Sequence, residues 1–300
     1  MLKDYFVSKG LSFEEKLVDQ DETAKDEMSQ VSGGFLGVPF TVVTKDNGEV
    51  VTVIGFDKGK LEQVLAWYFS IISKAWNSKM IFLNYKTYES GMGDMAIAMS
   101  KIVEEVSIST GVKVVPVVQT ADIREVVSNI SIEVWSQKID PVKYGAHTGS
   151  ILPESVLEDG ARGTFLNHSE NRFFDFETLT KAHDRAREVG LKTLIFAKDI
   201  EELAKVARLK PDYISYEPPA LIGSKDKSVA TTEPEIISQA VEISKKENIP
   251  LIVGAGVHSA DDVRISIELG AVGIAVASDV MMADNPKQEL LDLVEGFTDR

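Results

Sequence analysis

From Lys79 onward, short apolar runs alternate with stretches in which apolar residues recur every three or four positions. The runs Met80–Asn84, Lys113–Val118, Ile132–Ser136, Gly163–Asn167, Lys192–Ala197, Tyr213–Tyr216, Pro250–Gly254 and Gly273–Ala277 read as strands. Segments such as Asp94–Val106, Glu177–Val189 and Glu233–Lys246 carry helical spacing. Eight strand–helix alternations predict an α/β fold whose parallel sheet closes into a barrel. In such a barrel, reacting residues stand at the C-terminal ends of the strands.

Residues 1–66 follow a different pattern. They predict a helix over Leu2–Ser8, a strand over Ser12–Val18 and an acidic helix over Glu22–Val31, followed by Gly33-Gly34-Phe35-Leu36-Gly37-Val38-Pro39. The apolar runs Phe40–Thr44 and Glu49–Ile54 flank Asp46-Asn47-Gly48, and Asn-Gly between β-rich runs predicts a hairpin. A further helix starts at Phe56-Asp57-Lys58 and continues through Leu61, Val64 and Leu65. This order, with Gly-Val-Pro entering a strand, resembles a glutaredoxin-like domain of the thioredoxin fold. The resemblance implies a cis bond at Pro39. It lacks Cys-x-x-Cys, and the chain begins where that family's first helix begins, so the first central strand is missing. A rearranged three-stranded sheet is expected, serving as a docking surface or an oligomerisation element, with redox chemistry ruled out unless residues precede Met1; a start upstream of Met1 is the alternative. The aromatic stretch within 67–77 continues the preceding helix as a linker, with packing and oligomer contact both open as its role.

Charge narrows the partners. The net charge is -15, and both 1–77 and 78–300 are acidic, so no basic surface for nucleic acid is expected. No apolar run reaches membrane-spanning length, and no signal-like core opens the chain, so a cytoplasmic protein is expected. With Cys 0, thiol nucleophiles, thiolate metal sites and disulfides within the chain are excluded. An anionic substrate would have to be drawn in by a local positive field.

The strand ends supply that field and more. In order they read Asn84-Tyr85-Lys86, Asn167-His168-Ser169-Glu170, Glu217-Pro218-Pro219-Ala220-Leu221-Ile222-Gly223, Gly254-Ala255-Gly256 and Ala277-Ser278-Asp279. Together with Gly145-Ala146-His147-Thr148-Gly149 and Arg208-Leu209-Lys210-Pro211-Asp212-Tyr213, these motifs resemble an archaeal-type triosephosphate isomerase over nearly all of 79–298. The resemblance implies a (β/α)8 TIM barrel at 78–300 that interconverts dihydroxyacetone phosphate and D-glyceraldehyde 3-phosphate through an enediolate. It assigns Glu217 as base, His168 as neutral electrophile, Lys86 as the charge that binds substrate and Asn84 as a hydrogen-bond donor. Glu170 supports Lys86, while Gly223, Gly254, Gly256, Ala277 and Ser278 bind phosphate beneath a lid at Pro218–Gly223. His147, His183 and His258 read as structural. The resemblance further implies a homodimer or homotetramer in which Ile139–His147 reaches a neighbouring subunit, with no metal and no organic cofactor.

Three departures surround the phosphate. The lid reads Gly223-Ser224-Lys225 where the family commonly has Gly-Thr-Gly, and Ala220 replaces an acidic residue. Asp279 stands where relatives carry Gly. Its carboxylate either turns away to cap the short following helix or weakens phosphate binding, with Lys225 or Lys227 available to compensate. The alternative function is a catalytically impaired barrel that binds a phosphometabolite or acts as a scaffold.

Overall fold

A computed structural model of the chain describes residues 2–8, 13–35, 37–44, 50–65, 79–218, 234–254 and 256–298. Its contacts divide it into two compact units, Met1–Lys74 and Ala75–Arg300.

In the first unit, helices Leu2–Ser8, Glu22–Ser32 and 58–65 accompany the antiparallel strands β1 (Phe40–Thr44) and β2 (Val50–Ile54). The Asp21 side chain accepts from the N–H groups of Thr23 and Ala24, and Gly33 ends that helix at φ 67. Tyr5, Phe6, Val53, Leu61 and Leu65 form its small core. The Val38–Pro39 bond is cis. Over the described part of the expected Ser12–Val18 no strand forms: residues 13–17 have no regular structure and 18–20 make a turn. Ion pairs Lys3–Glu15 at 2.6 Å and Lys16–Glu27 at 2.5 Å tie this segment to the flanking helices, and Phe13 and Leu17 stay exposed. Without an apolar face to bury, the alternation has nothing to hold it against a sheet. Among the described residues, β1 and β2 therefore make a two-stranded sheet in place of the expected three. The Asp46-Asn47-Gly48 turn and the 67–77 stretch lie outside the described residues.

In the second unit, eight strands close a parallel barrel in the order β10-β3-β4-β5-β6-β7-β8-β9. They are β3 (Met80–Asn84), β4 (Lys113–Val118), β5 (Trp135–Ser136), β6 (Gly163–Leu166), β7 (Lys192–Ala197), β8 (Tyr213–Tyr216), β9 (Leu251–Val253) and β10 (Gly273–Val276). Side chains alternate between two environments, as strand geometry requires. Met80, Phe82, Val115, Val117, Phe165, Leu194, Phe196 and Ile252 pack together, while Ile81, Leu83, Val114, Ile195, Ile214, Val253 and Ile274 join the helices in the larger core. Phe82 on β3 meets Tyr213 on β8 edge to face at 5.6 Å, although those strands are not neighbours. Their contact therefore crosses the barrel interior, which is filled by side chains.

β5 is shorter than the expected Ile132–Ser136, because only Trp135 and Ser136 pair with both neighbours. Before them, Glu133 turns its carboxylate to the indole N–H of Trp135 at 2.8 Å and to Lys113 at 2.5 Å. Lys192 joins at 3.1 Å, so a partly buried charge cluster occupies the N-terminal end of the barrel. Burial alone would raise the Glu133 pKa, but the two ammonium groups and the indole bring it down to about 2.

Candidate active site

Strand parity aims the site. Asn84 continues the inward series of Met80 and Phe82, and Glu217 continues that of Tyr213 and Ser215. Both are buried polar residues at the C-terminal rim. Gly254 follows Ile252 in the same way. A Cβ there would stand 3.5 Å from Oε1 of Glu217, in ordinary contact, so Gly254 lies directly against the carboxylate.

Asn84 Oδ1 accepts the backbone N–H of Lys86 at 3.0 Å, closing a tight turn that holds Lys86 at φ 46. A left-handed conformation in a residue with a Cβ costs on the order of 1 kcal/mol. Gln137, just past β5, donates from Nε2 to the Lys86 carbonyl at 2.8 Å. The Lys86 ammonium pairs with Glu170 at 2.7 Å. Asn167, at φ 61, makes the corresponding turn at the end of β6, and its Nδ2 donates to the Phe196 carbonyl at 3.0 Å. That turn delivers His168 into the mouth of the barrel. The imidazole stacks over Phe165 at an interplanar angle of 7° and meets Phe196 edge on at 4.9 Å.

The tautomer of His168 follows from its neighbours. The backbone N–H of Glu170 donates to Nδ1 at 3.2 Å, so Nδ1 carries the lone pair and the ring proton lies on Nε2. Nε2 stands 3.7 Å from Oε2 of Glu217. That oxygen is buried and has no hydrogen-bond partner among the described residues. A neutral donor, a buried carboxylate and the Lys86 ammonium thus line one cleft.

The same cleft is lined by Gly256, Val257, His258, Ala277, Ser278 and Asp279, the last three just past β10, the neighbour of β3. Gly256 has φ 66, which glycine adopts without strain. The Ser278–Met281 helix has Ala277 as its N-cap, with no side-chain cap bond. Asp279 does not cap it. Its Oδ1 is 2.9 Å from Nδ1 of His258, so the expected capping role is replaced by a paired carboxylate. His258, expected to be structural, lines the cleft. His183 is buried between the Leu209 carbonyl at 2.9 Å and Thr193 Oγ1 at 3.2 Å. His147 sits in an exposed loop. Gly223, Ala220, Lys225, Lys227 and the lid beyond Pro218 lie outside the described residues.

Comparison with known proteins settles the lineage. The triosephosphate isomerase family model matches residues 79–296. The chain belongs to the triosephosphate isomerase family. It is 42% identical over 217 residues to the triosephosphate isomerase of Methanobacterium bryantii, covering 72% of this chain and 95% of that one. Identity to the Methanocaldococcus jannaschii triosephosphate isomerase is 36% over 220 residues, covering 72% and 99%. The crystal structure of the Bartonella henselae triosephosphate isomerase aligns at a TM-score of 0.55 with 18% identity, covering 68% of this chain and 94% of that one, which supports the fold alone. Sequence reasoning overlooked Gln137. Its position directly after a strand end was the available signal.

Proposed function

We propose that the barrel interconverts dihydroxyacetone phosphate and D-glyceraldehyde 3-phosphate, as a step of glycolysis and gluconeogenesis. The observation that carries this reading is the meeting of the Glu217 carboxylate, the Nε2–H of His168 and the Lys86 ammonium in one cleft. Glu217 removes a proton from the carbon beside the carbonyl. The Nε2–H of His168 donates to the carbonyl oxygen as it becomes an enediolate oxyanion, and Asn84 adds its Nδ2. A neutral imidazole suits this task, since its proton affinity lies nearer that of the oxyanion. Lys86 neutralises part of the added charge, and Glu217 returns the proton to the neighbouring carbon. Backbone N–H groups at Gly223, Gly256 and Ser278 hold the phosphate, with Gly254 and Ala277 shaping the approach. Pro218–Gly223 acts as the lid that excludes water.

Two finer readings accompany it. Ile139–His147 contacts a neighbouring subunit in a homodimer or homotetramer; Tyr144, which is 76% exposed, and a cleft of about 780 Å³ beside Lys86 and Gln137 support this. The first unit derives from a glutaredoxin-like domain, supported by its helix–hairpin–helix order. A cytoplasmic location fits a metabolic enzyme, and no described helix is long and apolar enough to cross a membrane. Turnover of glyceraldehyde 3-phosphate, with no turnover of pentose and hexose phosphates, would establish the substrate. A preference for a larger sugar phosphate would reject it.

A further inference from the structure

The part of the cleft that carries Asp279 poses an electrostatic problem. Asp279 places a carboxylate directly after Ser278, in the cleft that would receive a phosphate dianion. Like charges held close together in a partly desolvated site repel strongly. The carboxylate is not left alone, however. An ionised carboxylate can only accept, so the 2.9 Å contact is a donation from the Nδ1–H of His258 to Oδ1 of Asp279. The Oδ2 of Asp279 lies 3.5 Å from the hydroxyl of Ser278.

The other ring nitrogen carries the argument further. Nε2 of His258 is buried and has no hydrogen-bond partner among the described residues. Buried polar atoms without partners are uncommon, and at a cleft they point to a missing ligand. The backbone around His258 is fixed, since its N–H donates to Oδ2 of Asp262 at 3.1 Å, within the Ser259–Asp262 capping box. The ring itself is held by its Nδ1 contact with Asp279.

We propose that His258, oriented by Asp279, binds the substrate's phosphoryl group through Nε2, and that substrate binding draws a proton onto the imidazole. The resulting imidazolium stands between two anions and offsets the carboxylate that would otherwise oppose binding. This rests on the isomerase reading of the cleft and adds to it one side chain and one proton. Acidic groups stand on the elements around the ring. Besides Asp279, the helix Ala260–Glu268 contributes Asp262, and the helix Pro286–Glu295 contributes Glu289 and Asp292. The Glu289 carboxyl is pushed above its ordinary value, by burial first and then by Asp279 and Asp292, while His258 pulls it the other way. Lys86 is the cation lining the same cleft, with His168 and Glu217 as its other titratable groups.

Sulfate is the suitable probe, because it remains a dianion throughout the neutral range and cannot itself supply or take up the proton. Calorimetric titration of the full chain in two buffers of different ionisation heat reads affinity and proton uptake together. The wild type is expected to bind sulfate with uptake of a proton above neutral pH. His258→Gln is expected to bind about tenfold more weakly, the worth of one charge-assisted hydrogen bond, and without the uptake. The double variant His258→Gln/Asp279→Gly, which removes the opposing carboxylate, should recover most of that loss. In turnover, His258→Gln should raise KM more than it lowers kcat. Equal affinity and uptake in wild type and His258→Gln would overturn the role of His258 alone, as would a double variant no better than the single one. Failure of sulfate to bind the wild type would overturn both this proposal and the phosphate site on which it rests.

Discussion

Nε2 of His168 stands 3.7 Å from Oε2 of Glu217, with the ring proton directed onto Nε2 by the Glu170 backbone. That gap is too long for a hydrogen bond, and the imidazole is neutral in this tautomer. The carboxylate therefore keeps its basicity free for a substrate carbon, and the imidazole keeps its N–H free for the oxygen of that substrate. Neither group spends its function on the other.

The separation sets an expectation for both residues. Glu217→Asp withdraws the base by one methylene, roughly 1.5 Å, and should lower kcat by about 10²–10³-fold with KM changed only a few-fold. His168→Gln should lower kcat to a similar extent, since an amide is a poorer match to the enediolate. Steady-state kinetics on variants with wild-type circular dichroism checks this. A rise in KM with kcat preserved would place both residues in binding only.

Lys86 combines a charge with a left-handed backbone. Lys86→Ala and Lys86→Gly should each weaken substrate binding by about 30-fold or more, the worth of a charge-assisted contact. Their stabilities should part: glycine accepts φ 46 freely, so Lys86→Gly should be more stable than Lys86→Ala by on the order of 1 kcal/mol. Chemical denaturation of the two variants reads that order, and the reverse order would contradict the account of the turn.

At the other end of the barrel, Glu133 links stability to pH. Its pKa is lowered from 4.5 to about 2 in the fold, so its contribution is fully present above 4.5 and is lost as pH falls through 2. The shift corresponds to about 3 kcal/mol, of which about half is gone near pH 3.5. The stability difference between wild type and Glu133→Gln should therefore shrink between neutral pH and pH ~3.5. A difference independent of pH would assign the cost to packing.

Gly163 faces the Trp135 indole so closely that an added Cβ would overlap the ring. Gly163→Ala should destabilise the barrel by about 1–3 kcal/mol through overpacking. Combining it with Trp135→Leu should cost less than the sum of the two changes. Additive losses, measured by denaturation, would place the strain elsewhere.

Much of the barrel was legible because its strands bury nearly every residue and its helices keep their period. Met80–Asn84, Lys113–Val118, Lys192–Ala197 and Tyr213–Tyr216 form as the apolar runs indicate. Ser12–Val18 misled because alternation alone does not supply a partner or a face to bury. Site residues at strand ends, such as Asn84 and Glu217, could be located from inward parity. Gln137 showed only its place after a strand end, since its contact with the Lys86 carbonyl spans 51 positions. Asp279 was legible as a departure, but its partner His258 lies 21 positions earlier in another loop, and only the closed barrel brings them together.

Isomerisation in D2O addresses the central claim most directly, that Glu217 transfers the proton. A carboxylic acid that exchanges with solvent before returning its proton places deuterium on the carbon it reprotonates. The wild type should yield product carrying solvent deuterium at that carbon, detected by proton NMR, and Glu217→Gln should lose both turnover and exchange. Turnover and exchange at the wild-type rate in Glu217→Gln would contradict it.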